Sequence, residues 1–556
     1  MNGAILLVAA LAVFVLGYVF YSKRAGKLIG IDPSRPTPAN AQRDDVDYVP
    51  AHPMVLFGHH FAAIAGAGPI VGPVLAVQFG WACVALWIVL GCVFIGAVHD
   101  MITLFLSVRH RGESIGSVIG DMLGKTGKIL FLLFSWSALI LVVAVFASQV
   151  AETFVLDPAI ASASLLFIIE AIVFGLCVYR LKAPVGLASL VAVPVMFAFV
   201  WIGNFIPIDL MAIFGLSREG AQLAWCAVIL VYCYFASTCP VWILLQPRDY
   251  LNAYLLYVMM ALGILGVLVA QPTLHTAAFA GWRPEGLGGA APLFPILFVT
   301  VACGACSGFH SLVASGTTSK QTASEGHIRS VAYGGMLLEG LLALIGVIGV
   351  AAFYGNQGAY LEAIAGPDKI SPVAMFANSV AAFCVKLGLP IGIAKNFMLL
   401  ALSAFLMTSV DAGTRLARFS WQELMPKRVK VLQNVHSGTL LVCGLAAAFL
   451  FGSAAVRNSL WTLFASANQL LATLTLTTMT IWLLKNGKSC WMTAIPACFM
   501  MAVSSWALCL KVQTGLSSGN YLVGGTALFL LALGLVVVAL AIKEGAKCTG
   551  SSLRSS

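Results

Sequence analysis

Three groups of residues could do chemistry in this chain, and all of them lie in apolar runs. The first is Ser307, His310, Ser311 and Ser315, which recur at three- and four-residue intervals and so share one helix face. Hydroxyls and one imidazole on such a face suit a cation or a polar ligand, and an imidazole that titrates near neutrality can carry a proton. The same residues also suit interhelical packing, because small side chains let helices approach and serine bonds across them. The second group is the ionisable residues inside or at the ends of apolar segments: His99-Asp100, Glu170, Glu339, Lys395 and Asp411. Charges in hydrocarbon are costly and usually functional. Asp411 and Arg415 stand four apart, a spacing that permits an ion pair acting as a gate or as a helix-end staple. Arg248-Asp249 has the same two readings, and Asp100 could instead pair with Arg109 or Arg111 at the membrane boundary.

The third group interrupts helices. GHHFAAIAGAGPIVGPV (58–74) holds Gly66, Gly68 and Gly72 with Pro69 and Pro73, and ASTCPVW (236–242) holds Ser237, Thr238, Pro240 and Trp242. Proline cannot donate a backbone hydrogen bond, and glycine is the poorest ordinary helix former. In hydrocarbon the freed backbone groups need partners, so a broken helix is tolerated only where it is buried in protein or lines a polar cavity. Secondary transporters use such breaks at the midplane. A half-helix N-terminus there offers N–H groups and a positive dipole end to a substrate carboxylate. The predicted substrate site is therefore Gly66, Gly68, Pro69, Gly72, Ser237, Thr238, Trp242, Ser307 and Phe309. His310, Ser311, His99, Asp100, Asp411 and Arg415 are the predicted coupling or gating residues.

Other chemistry finds less support. The 14 cysteines are scattered, mostly inside apolar runs, and the single CxxC, Cys303 to Cys306, has no second pair. His59-His60 invites haem or zinc, but no further ligands stand at metal spacing, so no metal assignment follows. HExxH does not occur, and the two stretches with GxSxG spacing, GESIG (112–116) and GLSSG (515–519), lie between apolar helical segments rather than on a strand-to-helix turn, so a membrane hydrolase finds no support and the chain reads as a non-enzyme. A passive channel would need a repeated filter of charges or carbonyls, which is not visible. No cofactor is expected beyond a transported H+ or Na+.

The elements that must position these residues are membrane helices. Hydrophobic residues make up 60% of the 556 positions and charged residues 9%, where a soluble domain carries about 25% charged residues. Fifteen apolar segments run near 4–21, 58–80, 83–106, 129–150, 158–178, 184–205, 222–245, 252–271, 292–315, 331–354, 391–410, 438–454, 460–484, 491–510 and 521–542; a span needs about 20 residues. A shorter stretch, 372–387, reads as interfacial or re-entrant, and 271–291 as an outer Gly/Pro loop. With the N-terminus outside, 24 of the 31 Lys and Arg fall on the cytoplasmic side and 6 on the other, as the positive-inside rule asks. The C-terminus is then cytoplasmic, and the net charge of +10 calls for no nucleic acid. The fold class is all-α and polytopic. Breaks leading segments two and seven would mark an inverted five-plus-five repeat. It divides the chain into 1–53 (first helix and linker), 54–205 and 222–410 (the halves), and 411–556 (terminal helices and tail).

Seven stretches, in order along most of the chain, resemble the carbon starvation protein A family of bacterial membrane proteins: DYVP (47–50), LFGHHFAAIAGAGPIVGPVLAVQFGW (56–81), GAVHDM (96–101), PVWILLQPRDYL (240–251), TVACGACSGFHSLVASGTTSK (300–320), AYGGMLLEG (332–340) and VDAGTRLARF (410–419). SANQLLA (466–472) is the main familiar stretch nearer the C-terminus. The resemblance implies uptake of small peptides under carbon starvation, with pyruvate–proton symport as the alternative. It also implies a bacterial inner-membrane location and the amino acid–polyamine–organocation (LeuT-like) fold. The expected partners are small peptides or small carboxylates and membrane lipid. A haem-binding redox protein remains the reading from a different class.

Overall fold

A computed structural model describes residues 1–44, 48–240, 242–284, 291–426 and 428–552, with side chains as far as 547. Asp47 of the DYVP stretch, Val241 of the predicted second break, residues 285–290 of the outer loop, and the basic Lys427 and Arg554 lie outside them. Among the described residues all regular structure is helical, apart from two isolated bridges.

In chain order the principal helices are α1 (Gly3–Ile29), the bent pair α2 (Pro53–Ile64) and α3 (Gly68–Phe79), α4 (Trp81–Arg109), α5 (Ile115–Leu156), α6 (Pro158–Arg180), α7 (Val185–Phe214), α8 (Arg218–Thr238) and α9 (Leu245–Ala270). Three short helices follow, α10 (Leu293–Thr300), α11 (Ala302–Ala305) and α12 (Gly308–Gly316). The rest are α13 (Glu325–Phe353), α14 (Pro372–Val385), α15 (Ile391–Leu424), the bent pair α16 (Val435–Leu450) and α17 (Ala454–Lys485), α18 (Trp491–Ser517) and α19 (Tyr521–Lys547).

Among the described residues 11 helices are long and apolar enough to cross a membrane, or up to 13 if each bent pair is one span. The predicted count of fifteen is not reached, for two physical reasons. The segment at 292–315 is three short pieces rather than one rod, and the segments at 438–454 and 460–484 are arms of a pair bent by 118°. The stretch read as interfacial, α14, instead buries Val373, Phe376, Ala377, Val380 and Cys384 in the helical core.

The first break falls where the glycines and prolines put it. Helix α2 ends at Ile64, α3 begins at Gly68 with Pro69 in its first turn, and the axes differ by 47°. The second expected break is corrected. Helix α8 runs unbroken for 21 residues and stops at Thr238. Pro240, which has no N–H to continue the ladder, ends the helix instead of interrupting it, and the next helix starts at Leu245. A second interrupted span lies instead at 293–316, where Val301 leaves helical geometry and Cys306 and Ser307 are extended.

Each broken span is followed by a 29-residue helix, α4 or α13, containing one π-helical stretch, Cys92–Gly96 or Arg329–Tyr333. Such bulges often mark functional positions. Arg109 at the end of α4 pairs with Glu325 at the start of α13, at 2.7 Å. The two longest described helices are α5, 42 residues and kinked at Gly124, and α15, 34 residues. These two pack against each other more extensively than any other pair of described helices.

Candidate functional site

The two broken spans cross backbone to backbone. A Cβ on Gly72 would fall 2.2 Å from the Thr300 carbonyl oxygen, and one on Gly68 would fall 2.2 Å from the side chain of Cys303. These glycines are therefore required for close approach between the spans, with Pro69 buried beside them. Gly66 lies in the break itself, between Ser409 of α15 and Phe146 of α5. The Ser409 hydroxyl is buried there with no hydrogen-bond partner among the described residues.

Across from this, Asn468 of α17 closes the second break. Its Oδ1 accepts from the Phe309 backbone N–H at 2.7 Å, and its Nδ2 donates to the Ser307 hydroxyl at 3.1 Å and the Cys303 sulfur at 3.2 Å. A side-chain oxygen thus takes an N–H that the half-helix α12 would otherwise leave orphaned. Ser311 turns back to the Gly308 carbonyl at 2.6 Å and receives a bond from Thr475 at 3.3 Å.

Behind the second break stands a buried ionic chain. His310 Nδ1 lies 2.8 Å from Asp100 Oδ2, and His99 Nδ1 lies 2.8 Å from Asp100 Oδ1. On the other ring edge, His310 Nε2 is 3.0 Å from Glu339 Oε2, off the angle of a hydrogen bond. The side chains of His99, Asp100, His310 and Glu339 are all 0% exposed. His60 sits nearby, its Nδ1 2.9 Å from the Thr318 hydroxyl. Asp100 therefore binds two histidines rather than the boundary arginines.

A second buried cluster joins α8, α9 and α15. Arg248 meets Asp411 at 2.5 Å, Tyr232 donates to Asp411 at 2.8 Å, and Asn252 donates to Thr408 at 3.0 Å. Asp249 is 3.8 Å from His59. The expected Asp411–Arg415 pairing is corrected: Arg415 reaches the carbonyls of Ala236 and Cys239 at 2.7 and 2.8 Å, and Arg418 reaches that of Ser237 at 2.9 Å. The negative end of α8 attracts these guanidinium groups, while Arg248 supplies the countercharge for Asp411.

Ser237, Thr238 and Trp242 consequently stand apart from the breaks. Ser237 faces Thr439 at 3.2 Å, Thr238 bonds back to Tyr234 at 3.0 Å, and Trp242 lies beneath Arg180. Of the other flagged charges, Lys395 is exposed, and Glu170 is buried with no hydrogen-bond partner among the described residues.

Open space lies beside the second broken span. A cavity of about 330 Å³ is lined by Tyr48, Glu113, Ser117, Ser135, Leu312, Ser315, Lys320 and Glu423, among others. Glu423 accepts from Ser114 and Ser117 and pairs with Lys128 at 2.7 Å, bridging α5 and α15 at its wall. A slit too narrow for water runs between Val142, Phe309, Leu312, Phe464 and Asn468. Leu312 of α12 lines both spaces, so it stands between the open cavity and the slit.

Asn468, Glu339, Arg248 and Ser409 complete these arrangements and were not among the predicted site residues. Asn468 had one signal, its place in SANQLLA, and Glu339 had its charge within an apolar run.

The family model described as carbon starvation protein CstA matches residues 2–371 and 359–507. The protein named peptide transporter CstA from Campylobacter jejuni is 34% identical over 571 residues, covering 91% of this chain and 80% of that protein. The protein named pyruvate/proton symporter BtsT from Escherichia coli K12 is 30% identical over 589 residues, covering 91% and 81%. Among solved structures, a variant of the Eremococcus coleocola manganese transporter superposes with a TM-score of 0.47 at 11% identity, covering 91% of this chain and 99% of that one. The chain belongs to the carbon starvation protein CstA family.

Proposed function

We propose that this chain is a secondary active importer of small peptides in the bacterial plasma membrane, driven by an H+ or Na+ gradient, and not an enzyme. One observation carries the reading: the two broken spans cross in close contact, and beside the second of them a closed slit shares Leu312 with an open cavity. That is the arrangement alternating access needs, a central crossing reachable from one side at a time. The cavity mouth lies beside Tyr48, Glu113 and Lys320, on the side that the lysine and arginine distribution assigns to the cytoplasm. We therefore read this conformation as inward-open, with the N-terminus outside and the C-terminus inside.

The corrected second break also supports a revised inverted repeat. Five elements from 53 to 214 (α2–α3, α4, α5, α6, α7) correspond in order to five from 293 to 485 (α10–α12, α13, α15, α16, α17). The pairs α8–α9 and α18–α19 then stand outside the repeat, and the second half begins at the broken span instead of at 222.

Peptide is favoured over a small carboxylate by the walls of the cavity. At about 330 Å³ it lies at the small end of ligand pockets, which run about 300–1,000 Å³. It offers Lys320 to a carboxylate and Glu113 and Glu423 to an ammonium group, both of which a peptide carries. Pyruvate would use only the first, and the kinship to the E. coli symporter makes it the second reading. Uptake of labelled dipeptide and labelled pyruvate into proteoliposomes, under imposed H+ or Na+ gradients, tests this. Accumulation of dipeptide, unaffected by excess pyruvate, is expected. If neither compound accumulates under either gradient, the transporter reading fails.

Lys320→Met is expected to raise the KM for dipeptide about tenfold, the effect of one charge-assisted contact, with the maximal rate nearly unchanged. An unaltered KM would remove Lys320 from the substrate path.

A further inference from the structure

We propose that the coupling ion is a proton, and that it is held by Glu339 in a shared site with His310 and Asp100. This rests on the transporter reading and deepens it by naming the ion and the residue that binds it. A neutral imidazole has a single N–H. With carboxylate oxygens 2.8 Å from Nδ1 and 3.0 Å from Nε2 of His310, one further proton is needed to satisfy both contacts, on the ring or on a carboxyl. The two carboxyl groups are not equivalent. Asp100 already faces His99 and His310, one on each oxygen. Neither oxygen of Glu339 receives a hydrogen bond among the described residues.

Charge leads to the same assignment. With His310 neutral, the cluster would bury two negative charges; with His310 protonated, one remains, and a proton on Glu339 leaves none. A buried charge without full compensation is strongly destabilising, so uptake of that proton is favoured wherever the site opens to an acidic face. The other titratable groups facing the cluster are His60 on α2, His99 on α4, Cys92 in the π-helical stretch of α4, and Cys303 and Cys306 in the broken span. None of them hydrogen-bonds to Glu339 among the described residues. A hard cation such as Na+ takes oxygen ligands, whereas here a ring nitrogen fills the space in front of each carboxylate.

The site is also placed to sense transport. His310 directly follows Phe309, which lines the slit, and both ride on the nine-residue half-helix α12. Asp100 and Glu339 are fixed on α4 and α13. Movement of α12 against these helices makes or breaks the His310–Glu339 contact, and a proton on Glu339 weakens the attraction holding α12 back.

The test uses the full chain in proteoliposomes loaded with a pH-sensitive dye and given a labelled dipeptide. The wild type is expected to accumulate peptide under an inward proton gradient, to move one proton per peptide, and not to respond to a sodium gradient at equal pH. Glu339→Gln is expected to lose proton-driven accumulation by about tenfold or more, the scale of a coupling free energy between two sites. It should also lose the pH dependence of uptake, while peptide counterflow, which needs no net proton movement, stays near wild type. Wild-type accumulation driven by sodium alone overturns the proposal. So does undiminished proton-driven accumulation by Glu339→Gln, or loss of its counterflow with an unchanged melting temperature. If the variant does not fold, the wild-type proton stoichiometry and the sodium arm decide. A wild type that accumulates nothing under either gradient instead counts against the transporter reading.

Discussion

Arg248→Met is expected to lower the unfolding free energy by about 3–5 kcal/mol, the cost of leaving a buried carboxylate without its countercharge. Arg248 and Asp411 are 3% and 1% exposed and meet at 2.5 Å, with Tyr232 and Thr408 completing the cluster. Removing the guanidinium strands Asp411, and it also takes a positive charge from beside Asp249, which lies 3.8 Å from His59. Arg415 and Arg418 cannot move across without uncapping α8, whose carbonyls they hold. The double variant Arg248→Met with Asp411→Asn should be more stable than Arg248→Met alone by about 1–3 kcal/mol, the cost of a buried polar group left unsatisfied. An amide at 411 still accepts the Tyr232 hydroxyl and carries no charge. Thermal unfolding in detergent measures all three proteins. If Arg248→Met costs less than about 1 kcal/mol, the pair behaves like an exposed one, and the cluster is not the closed core described above.

The second large effect comes from one methyl group. Gly72→Ala puts a Cβ 2.2 Å from the Thr300 carbonyl oxygen, where the obstacle is backbone and cannot rotate away. The broken spans must separate by roughly an ångström, and overpacking of this kind costs about 1–3 kcal/mol. Transport should suffer more than stability, because Cys303, which packs against Gly68 at the crossing, is also a partner of Asn468 at the second break. Loss of nearly all dipeptide uptake is expected, with a lowered melting temperature. Gly444→Ala is the control: it lies on α16 with nothing within 4 Å of a new Cβ, and alanine favours a helix over glycine by up to about 1 kcal/mol. Equal behaviour of the two variants would show that the crossing tolerates widening.

Helix content, membrane character and the first break were legible because their signals are local. A glycine or proline at 66–73 acts on the turn in which it sits. The second break was misplaced for the same reason. Pro240 advertises itself but falls where α8 is already ending, whereas the true interruption at Cys306-Ser307 contains no proline. It is held open by Asn468, more than 150 residues away, and no short window of sequence contains that contact. Charge pairing failed in a similar way. The i,i+4 rule joined Asp411 to Arg415 on one helix, but the negative end of α8 drew Arg415 away and Arg248 arrived from α9. His99, Asp100 and His310 were each visible as ionisable residues in apolar runs. Glu339 was visible too, but its place against His310 depends on how α12 and α13 pack. The cavity needs several elements at once, so its lining could not be read from the chain in advance.

The central claim is that substrate reaches the crossing of the two broken spans past Leu312. The direct measurement is the rate at which a membrane-impermeant maleimide modifies Leu312→Cys, applied to each face in turn, against the unsubstituted chain as background. Modification from the cavity face only, slowed severalfold by saturating dipeptide, is the expected result. A rate that peptide leaves unchanged, or equal modification from both faces, would contradict it.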